Sequence, residues 1–293
     1  MLLLTGGTGH SGTIFLKNLE TEGYNGKIRC LVRKSSNIKV LESYKLDIEI
    51  CTIDLKNIDA LQSVMKGVET VLHIAGIQYS KEVVEACKRE KVSWMILVHT
   101  TGRYSRFKSA SKFYIEVEDK LIKENNNLTI LRPTMIYGSS HDKNMWQLIN
   151  FLNKYRFFPI FGDGRNLMQP VLADDLACAY QLVLKNKDRT YGRQYNLSGK
   201  EAISYGDLLK TVENELGKKV VTLKLPIKLC MFIVAFYNFL FKKKSLVSVE
   251  QVMRMQEDKD FSWDDAKRDF GYSPTSFRDG IRKEIEELKM KCL

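Results

Sequence analysis

The chain opens with a short apolar run, Leu2 to Leu4, that leads directly into the glycine-rich turn Thr5-Gly6-Gly7-Thr8-Gly9-His10-Ser11-Gly12. The residues from Thr13 to Glu22 then have the composition of a helix. Glycine permits a sharp turn and brings bare backbone N–H groups close to a ligand, and the N-terminus of the following helix adds partial positive charge. This order predicts a strand, a turn and a helix that together hold a diphosphate group.

The spacing Gly7-x-Gly9-x-x-Gly12 matches the glycine fingerprint of dinucleotide-binding folds. A glycine turn without a ligand is the alternative, but the apolar strand before the turn and the helix after it are the context that the fingerprint requires. We therefore predict that the turn binds a dinucleotide cofactor. The cofactor-binding residues predicted here are Gly6, Thr8, Gly9, His10, Ser11 and Gly12.

Apolar strand-like segments alternate with helix-like segments over the first half of the chain. Predicted strands lie at Lys27–Val32, Ile48–Ile53, Val68–Ile74, Trp94–His99, Leu128–Leu131 and Arg193–Leu197, and predicted helices include Ser80–Glu90 and Ala110–Glu124. The alternation with short connections predicts an α/β fold, a doubly wound parallel Rossmann sheet with a smaller, mostly C-terminal substrate lobe. Residues 1–138 would form the NAD(P)-binding core, to which 171–198 return, and residues 139–170 and 199–293 would form the substrate-binding lobe.

Composition restricts the partners and the compartment. The net charge of +11 over 293 residues suggests a nucleic-acid partner, but the lysines are scattered and no basic run alternates with aromatic residues. We therefore expect a small anionic molecule, no nucleic acid and either a monomer or a homodimer. The six cysteines are far apart and the four histidines lack ligand-type spacing, so we predict reduced thiols, a cytoplasmic location and no metal site. The run Leu2 to Leu4 is too short for a signal peptide.

The most apolar segment is Leu229–Phe241, followed by Lys242-Lys243-Lys244. A bilayer span needs about 20 residues, so this segment is too short to cross a membrane. A buried helix is the favoured interpretation. The alternative is an interfacial helix, with residues 229–244 in peripheral contact with a membrane and the lysines facing anionic lipid.

The residues after the second predicted strand bear on cofactor choice. A carboxylate at that point would bind the ribose hydroxyls of NAD, but this chain has Arg33-Lys34-Ser35-Ser36. A guanidinium pairs well with a 2′-phosphate, so Arg33 and Lys34 predict NADP rather than NAD. A solvated basic loop is the alternative. Asp54 and Leu55 follow the third strand and are predicted to contact adenine, although Asp54 is equally suited to cap a helix.

Several segments resemble the short-chain dehydrogenase/reductase superfamily, in its extended and atypical branches of NAD(P)-dependent epimerase/dehydratase-like proteins. The resemblance rests on Thr5 to Gly12, Asp54-Leu55, His73-Ile74-Ala75-Gly76 and the segment from Leu131 to Gly138, and it continues through Phe161 to Gly164, Gln169 to Ala177, Gln194 to Gly199 and Phe270 to Pro274. It implies that Ile74, Ala75 and Gly76 line the cofactor and that Pro133, Thr134, Met135 and Ile136 flank the nicotinamide. From its place in a strand, His73 is expected to be a hydrogen-bonded core residue rather than a catalyst.

The family's catalytic pattern is incomplete here. The resemblance implies a Tyr-x-x-x-Lys pair on a helix, in which an ammonium lowers the pKa of a phenol that exchanges a proton with substrate. Lys112 fits the lysine, as a cofactor-binding and catalytic residue, but Lys108 stands where the tyrosine belongs. Tyr104 with Lys108 forms a second Tyr-x-x-x-Lys frame, and Thr100 and Thr101 fit the hydroxyl that orients the carbonyl.

Two functions are compatible with this pattern. The first is an NADP-dependent oxidoreductase or epimerase acting on a hydroxyl or ketone of a small molecule, which could be a nucleotide-linked sugar. The second is an NADP(H)-binding sensor or scaffold that lacks the chemistry because it has lost the family tyrosine. The substrate lobe favours the first function, and Lys108 in the tyrosine position favours the second.

Overall fold

The computed structural model describes residues 1–142, 144–240 and 248–291. Its strands are β1 (Leu2–Thr5), β2 (Ile28–Val32), β3 (Ile48–Thr52), β4 (Thr70–His73), β5 (Trp94–Val98), β6 (Leu128–Pro133), β7 (Ile136–Tyr137), β8 (Phe157–Phe161), β9 (Leu167–Met168), β10 (Val171–Leu172), β11 (Gln194–Leu197), β12 (Ile203–Ser204) and β13 (Val221–Leu225). Its helices are α1 (His10–Thr21), α2 (Lys39–Glu42), α3 (Ile58–Val64), α4 (Ser80–Arg89), α5 (Lys108–Glu124), α6 (Met145–Tyr155), α7 (Ala173–Lys185), α8 (Lys187–Thr190), α9 (Tyr205–Leu216), α10 (Ile227–Leu240), α11 (Val249–Arg254), α12 (Asp264–Phe270) and α13 (Phe277–Lys291).

The described residues contain one large sheet, with seven strands in the order β11-β6-β5-β4-β1-β2-β3. All its neighbouring strands run parallel, and β1 at the centre pairs with β2 on one side and β4 on the other. Strand order reverses at β1, which is the switch point of a doubly wound sheet. The predicted α/β Rossmann fold is confirmed, and the strand ends at this switch point form its natural ligand crevice.

Both faces of the sheet are covered by helices, and this explains the apolar runs of its strands. In β1, Leu2 and Leu4 pack in a core cluster with Phe15 of α1 and Tyr180 of α7, whereas Leu3 packs in a cluster on the opposite face. That opposite cluster draws on α3, α4 and α5. A strand that is buried on both faces reads as a continuous apolar run rather than an alternating one. Each leucine so buried contributes about 1.5–3 kcal/mol to folding.

Helix α1 begins at His10, three residues earlier than the sequence predicts. Gly9 has extended backbone dihedral angles and acts as the N-cap, and the Thr13 amide donates to the Gly9 carbonyl at 2.9 Å. The helical dihedral angles therefore start inside the glycine motif. As a result, the first backbone N–H groups of α1 lie directly behind the turn, where an anion would gain most from them.

A third apolar cluster involves helices α6, α9 and α13. Ile149 of α6, Leu209 of α9 and Ile281 of α13 pack together with Tyr137, apart from the two clusters on the sheet. The two last helices belong to different clusters. Helix α13 packs in this third cluster, whereas Phe270 and α12 pack in the cluster on the sheet. There the Phe270 ring lies 5.0 Å from the ring of Tyr195 in β11.

Cysteine side chains in the described part of the chain are free thiols at Cys30, Cys51, Cys87, Cys178 and Cys230. Cys292 lies outside the described residues. Burial raises the pKa of Cys30 to about 12 and that of Cys87 to about 12. These two thiols are therefore protonated at neutral pH and serve as small apolar core residues.

The apolar segment that begins at Leu229 forms α10, but the preferred prediction of a buried helix is wrong. Phe232 is 68% exposed and Ile233 is 54% exposed, while Cys230 is buried. The apolar composition of α10 therefore does not reflect a core position for these exposed side chains. The alternative prediction, a peripheral membrane contact through residues 229–244, includes residues 241–244, which lie outside the described residues. Within the described ranges, no helix is long and apolar enough to cross a membrane.

Candidate functional site

A cleft of about 530 Å³ lies at the carboxyl ends of the central strands. At one end it is lined by the glycine turn, and it continues past the ends of β2 and β4. The turn contributes Gly6, Thr8, Gly9, His10 and Ser11 to the lining. The cleft therefore combines the amino end of α1 with the switch point of the sheet, which is the position of a dinucleotide in this class of fold.

The glycines of the turn are required by close backbone contacts. Gly6 has a φ of +78°, a conformation that residues with side chains rarely adopt. A Cβ added at Gly12 would lie 2.2 Å from the Gly6 carbonyl oxygen. Gly12 does not line the cleft but lets α1 pack tightly behind the turn. The turn closes on itself through a 2.9 Å hydrogen bond from the Gly9 amide to the Gly6 carbonyl.

The end of the cleft beside β2 carries the basic loop. Arg33 and Ser36 line the cleft, and the loop is closed by the Ser36 amide, which donates to the Arg33 carbonyl at 2.9 Å. Among the described residues, the exposed Arg33 side chain forms no ion pair with a carboxylate. Its guanidinium is thus open to an anion in the cleft. The neighbouring Lys34 is exposed and does not line the cleft.

Asp54 and Leu55 also line the cleft, next to Arg33. The alternative role of Asp54 as a helix cap is wrong, because Asn57 caps α3 by accepting from the Ala60 amide at 3.0 Å. Asp54 instead accepts from the Lys56 amide at 3.0 Å. The second carboxylate oxygen of Asp54 thus remains at the cleft wall, where an adenine amino group or a ribose hydroxyl could donate to it.

The loop after β4 forms the wall opposite the glycine turn. Ile74, Ala75 and Gly76 all line the cleft, and Gly76 has a φ of +111°. His73, directly before this loop, is completely buried and its Nε2 donates to the Gly76 carbonyl at 3.1 Å. Burial lowers the pKa of His73 to about 4, so the imidazole is neutral at pH 7. The prediction that His73 is a hydrogen-bonded core residue is confirmed.

Ile136 lines the cleft, but its three predicted companions do not. Pro133 ends β6, and the Thr134 hydroxyl donates to the Gln169 carbonyl at 2.5 Å. Met135 lines a second pocket of about 400 Å³. That pocket is mainly apolar, and its other walls include Leu148, Phe151, Phe158, Met168 and Leu208.

Residues predicted to be catalytic lie outside the lining of the cleft. Tyr104 is 45% exposed, and its hydroxyl donates to Asn196 Oδ1 at 3.2 Å and accepts from Arg132 Nη1 at 3.0 Å. The Lys112 side chain is 70% exposed, with its Nζ 3.8 Å from Glu116. Lys108 is exposed at the first position of α5. The structure therefore does not bring a phenol and an ammonium from this set together at the cleft.

The two threonines after β5 are engaged locally. Thr100 Oγ1 accepts from the Gly102 amide at 3.0 Å and caps the short 3-10 helix Thr101–Tyr104. Thr101 is buried, and its hydroxyl donates to the Pro133 carbonyl at 3.3 Å. Both hydroxyls thus stabilise the chain beside the cleft rather than face into it.

Comparison with known proteins places this architecture in a family. A family model described as NAD(P)H-binding matches residues 6–149. Short-chain dehydrogenase/reductase family 42E member 1 from Danio rerio is 23% identical over 205 residues, which cover 63% of this chain and 52% of that protein. The mitochondrial NADH dehydrogenase [ubiquinone] 1 alpha subcomplex subunit 9 from Arabidopsis thaliana is 28% identical over 147 residues, covering 50% of this chain and 35% of that protein.

Among solved structures, a UDP-glucuronic acid 4-epimerase from Bacillus cereus in complex with NAD superimposes with a TM-score of 0.76. The two sequences are 19% identical, and the match covers 99% of each chain. The fold is therefore shared from end to end, including the second lobe. The chain therefore resembles the extended, epimerase/dehydratase-like short-chain dehydrogenases/reductases, through its NAD(P)H-binding segment and through its fold.

The chain spans about a third to a half of the length of the curated relatives named above. The epimerase structure holds NAD, whereas the basic loop of this chain suggests NADP. Residues 6–149 match an NAD(P)H-binding family model, which does not distinguish between the two coenzymes.

Several residues that line the cleft were not predicted from the sequence. Gln78, Tyr79, His141 and Asp142 all line it. The first two lie just beyond the loop Ile74–Gly76, and the other two follow the predicted turn at Gly138, so proximity to those segments was the available signal. Ser36 and Ile53 flank predicted residues and line the cleft as well.

A polar cluster in the cleft lies where the glycine turn meets the segment from Ser139 to Asp142. His10 Nε2 lies 2.8 Å from the Ser139 hydroxyl, and His141 Nδ1 lies 3.4 Å from the same hydroxyl. Burial and the nearby His141 ring lower the pKa of His10. Asp142 accepts from the Met145 amide at 2.9 Å and from the Trp146 amide at 3.1 Å at the start of α6. This cluster joins the glycine motif to the second lobe.

Glu118 of α5 anchors a buried charged network beneath β6. It accepts from His99 Nδ1 at 2.8 Å and from Arg132 Nε at 2.8 Å, and it also contacts Arg103. Despite burial, hydrogen bonds from His99 and Arg132 hold the pKa of Glu118 down to about 2. The network orients Arg132 towards Tyr104, which explains why that phenol is engaged away from the cleft.

Proposed function

We propose that this chain binds NADP(H) in the cleft and uses the bound coenzyme without the family's Tyr–Lys chemistry, as a sensor or scaffold. In this proposal the diphosphate lies at the amino end of α1, and the 2′-phosphate pairs with Arg33. The nicotinamide then extends towards Gly76 and Ile136. Arg33 supports the coenzyme choice, because it lines the cleft without a carboxylate partner among the described residues.

The single observation that carries the non-catalytic use is the geometry of the predicted acid. The hydroxyl of Tyr104 is held by Arg132 and Asn196, and Lys112 is exposed beside Glu116. A phenol serves as a general acid only within hydrogen-bond reach of the substrate, with an ammonium near enough to lower its pKa. Neither condition is met at the described cleft. One relative carries the name of a subunit of an NADH dehydrogenase, which is consistent with a binding role.

The second candidate is an NADP-dependent oxidoreductase or epimerase, and the pocket at Met135 favours it. This pocket of about 400 Å³ borders the segment whose next residue, Ile136, lines the cofactor cleft. A substrate there would present a hydroxyl or ketone to the nicotinamide. Because the pocket is mainly apolar, that substrate would carry an apolar part beside any nucleotide-linked sugar.

Calorimetry with the four nicotinamide coenzymes tests the shared part of both candidates. We expect saturable heat with NADPH and NADP⁺ and much weaker binding of NADH and NAD⁺. Absence of heat with all four coenzymes would refute both candidates. A preference for NAD(H) would overturn only the assignment of Arg33 to the 2′-phosphate.

Turnover separates the two candidates. NADPH oxidation is followed with a panel of ketones, and conversion of nucleotide sugars is followed by chromatography. The non-catalytic proposal predicts tight NADPH binding with no turnover of any compound by the wild type. Turnover that appears in Lys108→Tyr would show that the missing phenol is the only defect. Turnover by the wild type that falls in Tyr104→Phe and in Lys108→Ala would establish the enzyme instead.

A further inference from the structure

The exposed side of α10 is an apolar stripe. Leu229, Phe232, Ile233 and Tyr237 are all exposed, and their spacing of three, four and eight residues places them on one helical face. Cys230, on the other side, is buried. Within residues 227–240 the polar residues are one lysine and one asparagine. This face resembles the buried face of an ordinary helix, yet it faces outwards.

Strand β13, which leads into α10 through Pro226, has the same character. Val221 is 67% exposed and Leu223 is 50% exposed, and their spacing of two residues puts both on one face of the strand. Val221 pairs in register with Phe157 of β8, which is also exposed. The apolar surface therefore includes the outer pair of strands as well as the helix.

The charged residues of the segment that forms this surface have one sign. Between residues 217 and 240 the sequence has four lysines and no acidic residue. Lys219, Lys224 and Lys228 are exposed and lie in the same segment of the chain as the apolar side chains. A surface of this composition complements a partner that offers apolar groups beside negative charges.

We propose that α10 and β13, the α10–β13 surface, dock this protein on the surface of a bilayer that contains anionic lipid. The apolar stripe would enter the boundary between headgroups and acyl chains, and the lysines would contact lipid phosphates. A second copy of the chain is a poorer occupant, because it would bring two positively charged surfaces together without any carboxylate between residues 217 and 240 to pair with them.

The helix lies flat in this arrangement. Its 14 residues extend about 21 Å at 1.5 Å per residue, which is shorter than the hydrocarbon core of about 30 Å. Lysine side chains are long enough to keep their charges in the headgroup region while the neighbouring apolar groups are buried. Binding is therefore peripheral and reversible, and it should weaken as salt screens the lysines.

Vesicle co-sedimentation of the full chain tests the proposal. We compare vesicles of phosphatidylcholine alone with vesicles of equimolar phosphatidylcholine and phosphatidylglycerol. The wild type should bind the anionic vesicles at least tenfold more tightly, and this preference should shrink as salt is raised. The double variant Phe232→Ser/Ile233→Ser should lose at least tenfold in binding, and Lys224→Gln/Lys228→Gln should lose most of the preference for anionic lipid.

The matched control is Phe113→Ser, which removes an exposed phenylalanine from another helix, α5. It should bind vesicles as the wild type does. Calorimetry with NADPH checks that each variant retains a folded cofactor cleft, since none of the substituted residues lines it.

Two outcomes would overturn the proposal. One is wild-type protein that binds neither kind of vesicle, and the other is a Phe232→Ser/Ile233→Ser variant that binds as tightly as the wild type. Light scattering after size exclusion covers the competing occupant. If the wild type is a dimer, the double variant is a monomer and neither binds vesicles, the surface belongs to a second copy of the chain.

Discussion

Thr5 Oγ1 and His73 Nδ1 lie 2.7 Å apart, and this contact joins the two strands that flank the cofactor cleft. Because His73 Nε2 donates to the Gly76 carbonyl, Nδ1 is the acceptor and the Thr5 hydroxyl donates to it. Thr5 Oγ1 in turn accepts from the Ala75 amide at 3.3 Å. The neutral form of His73 therefore ties the end of β1 to the loop that forms one wall of the cleft.

Acid should destabilise the protein through this imidazole. The pKa of His73 is about 4 in the folded state, whereas an unfolded chain has a histidine pKa near 6.5. Between these values the unfolded state binds more protons, so the free energy of unfolding falls as pH falls from about 6.5 to about 4. Each such histidine gives a slope of at most about 1.4 kcal/mol per pH unit. Urea unfolding at a series of pH values measures it.

The variant His73→Gln is the matching test. Its amide can still donate to the Gly76 carbonyl but does not titrate, so its stability should be lower at pH 7, by about 1–3 kcal/mol, and should vary less between pH 6.5 and 4. His99, whose pKa burial also lowers, would account for the slope that remains. An unchanged slope in His73→Gln would contradict this account. Glu118 acts only below about pH 4.5, because hydrogen bonds lower its pKa to about 2.

Alkali should destabilise the protein through Glu284. This side chain of α13 is fully buried, close to Asp142 and to the backbone of Gly138. Burial and the nearby Asp142 raise the pKa of Glu284 to about 9. The folded state then binds more protons than the unfolded state between about pH 4.5 and 9, so the free energy of unfolding falls as pH rises through that range.

Replacing this group by an uncharged one should remove that loss. We expect Glu284→Gln to be more stable than the wild type at pH 9, by more than about 1 kcal/mol, with a smaller difference at pH 5. Thermal unfolding at the two pH values measures both. Glu286→Gln, two residues away on the same helix, is the control and should leave the pH dependence unchanged. Equal alkaline losses in wild type and Glu284→Gln would exclude Glu284 as the source.

Reversing the charge at Arg33 should change coenzyme preference. A hydrogen bond to a charged group contributes about 1.5–3 kcal/mol, so Arg33→Glu should weaken NADPH binding by about tenfold or more and leave NADH binding equal or tighter. Lys34→Glu makes the same charge change at the adjacent residue, which is outside the cleft, and should have a much smaller effect. Calorimetry on both variants gives the comparison. Equal losses in the two would attribute the effect to net charge rather than to a contact.

A methyl group at Gly12 should disrupt the diphosphate site. The added Cβ in Gly12→Ala would lie 2.2 Å from the Gly6 carbonyl oxygen, and relief requires α1 or the turn to move. Overpacking of this kind costs about 1–3 kcal/mol, and we expect a lower melting temperature and NADPH affinity reduced at least tenfold. In Gly206→Ala the nearest contact is 3.4 Å, to the Gly164 carbonyl, so this control should bind NADPH normally.

Local patterns in the sequence determined the sheet and the glycine turn. The apolar runs at Leu2–Leu4 and Trp94–Val98 predict strands because residues buried on both sheet faces leave no room for alternation. The glycine spacing predicts the cofactor turn because close backbone contacts admit no Cβ at Gly12. These are short-range or strictly steric requirements, so they are visible along the chain.

Only the tertiary structure decided which side chains share the cleft and which face outwards. Lys112 fits the family lysine and Tyr104 forms a second frame with Lys108, yet Tyr104 is engaged by Arg132 and Lys112 faces solvent. The apolar α10 was expected to be buried, yet its Phe232 and Ile233 side chains are exposed. The type of a side chain determines the free energy that it would gain by burial. The elements that bury or hold it come from distant parts of the chain, and the packing of the whole fold sets their positions.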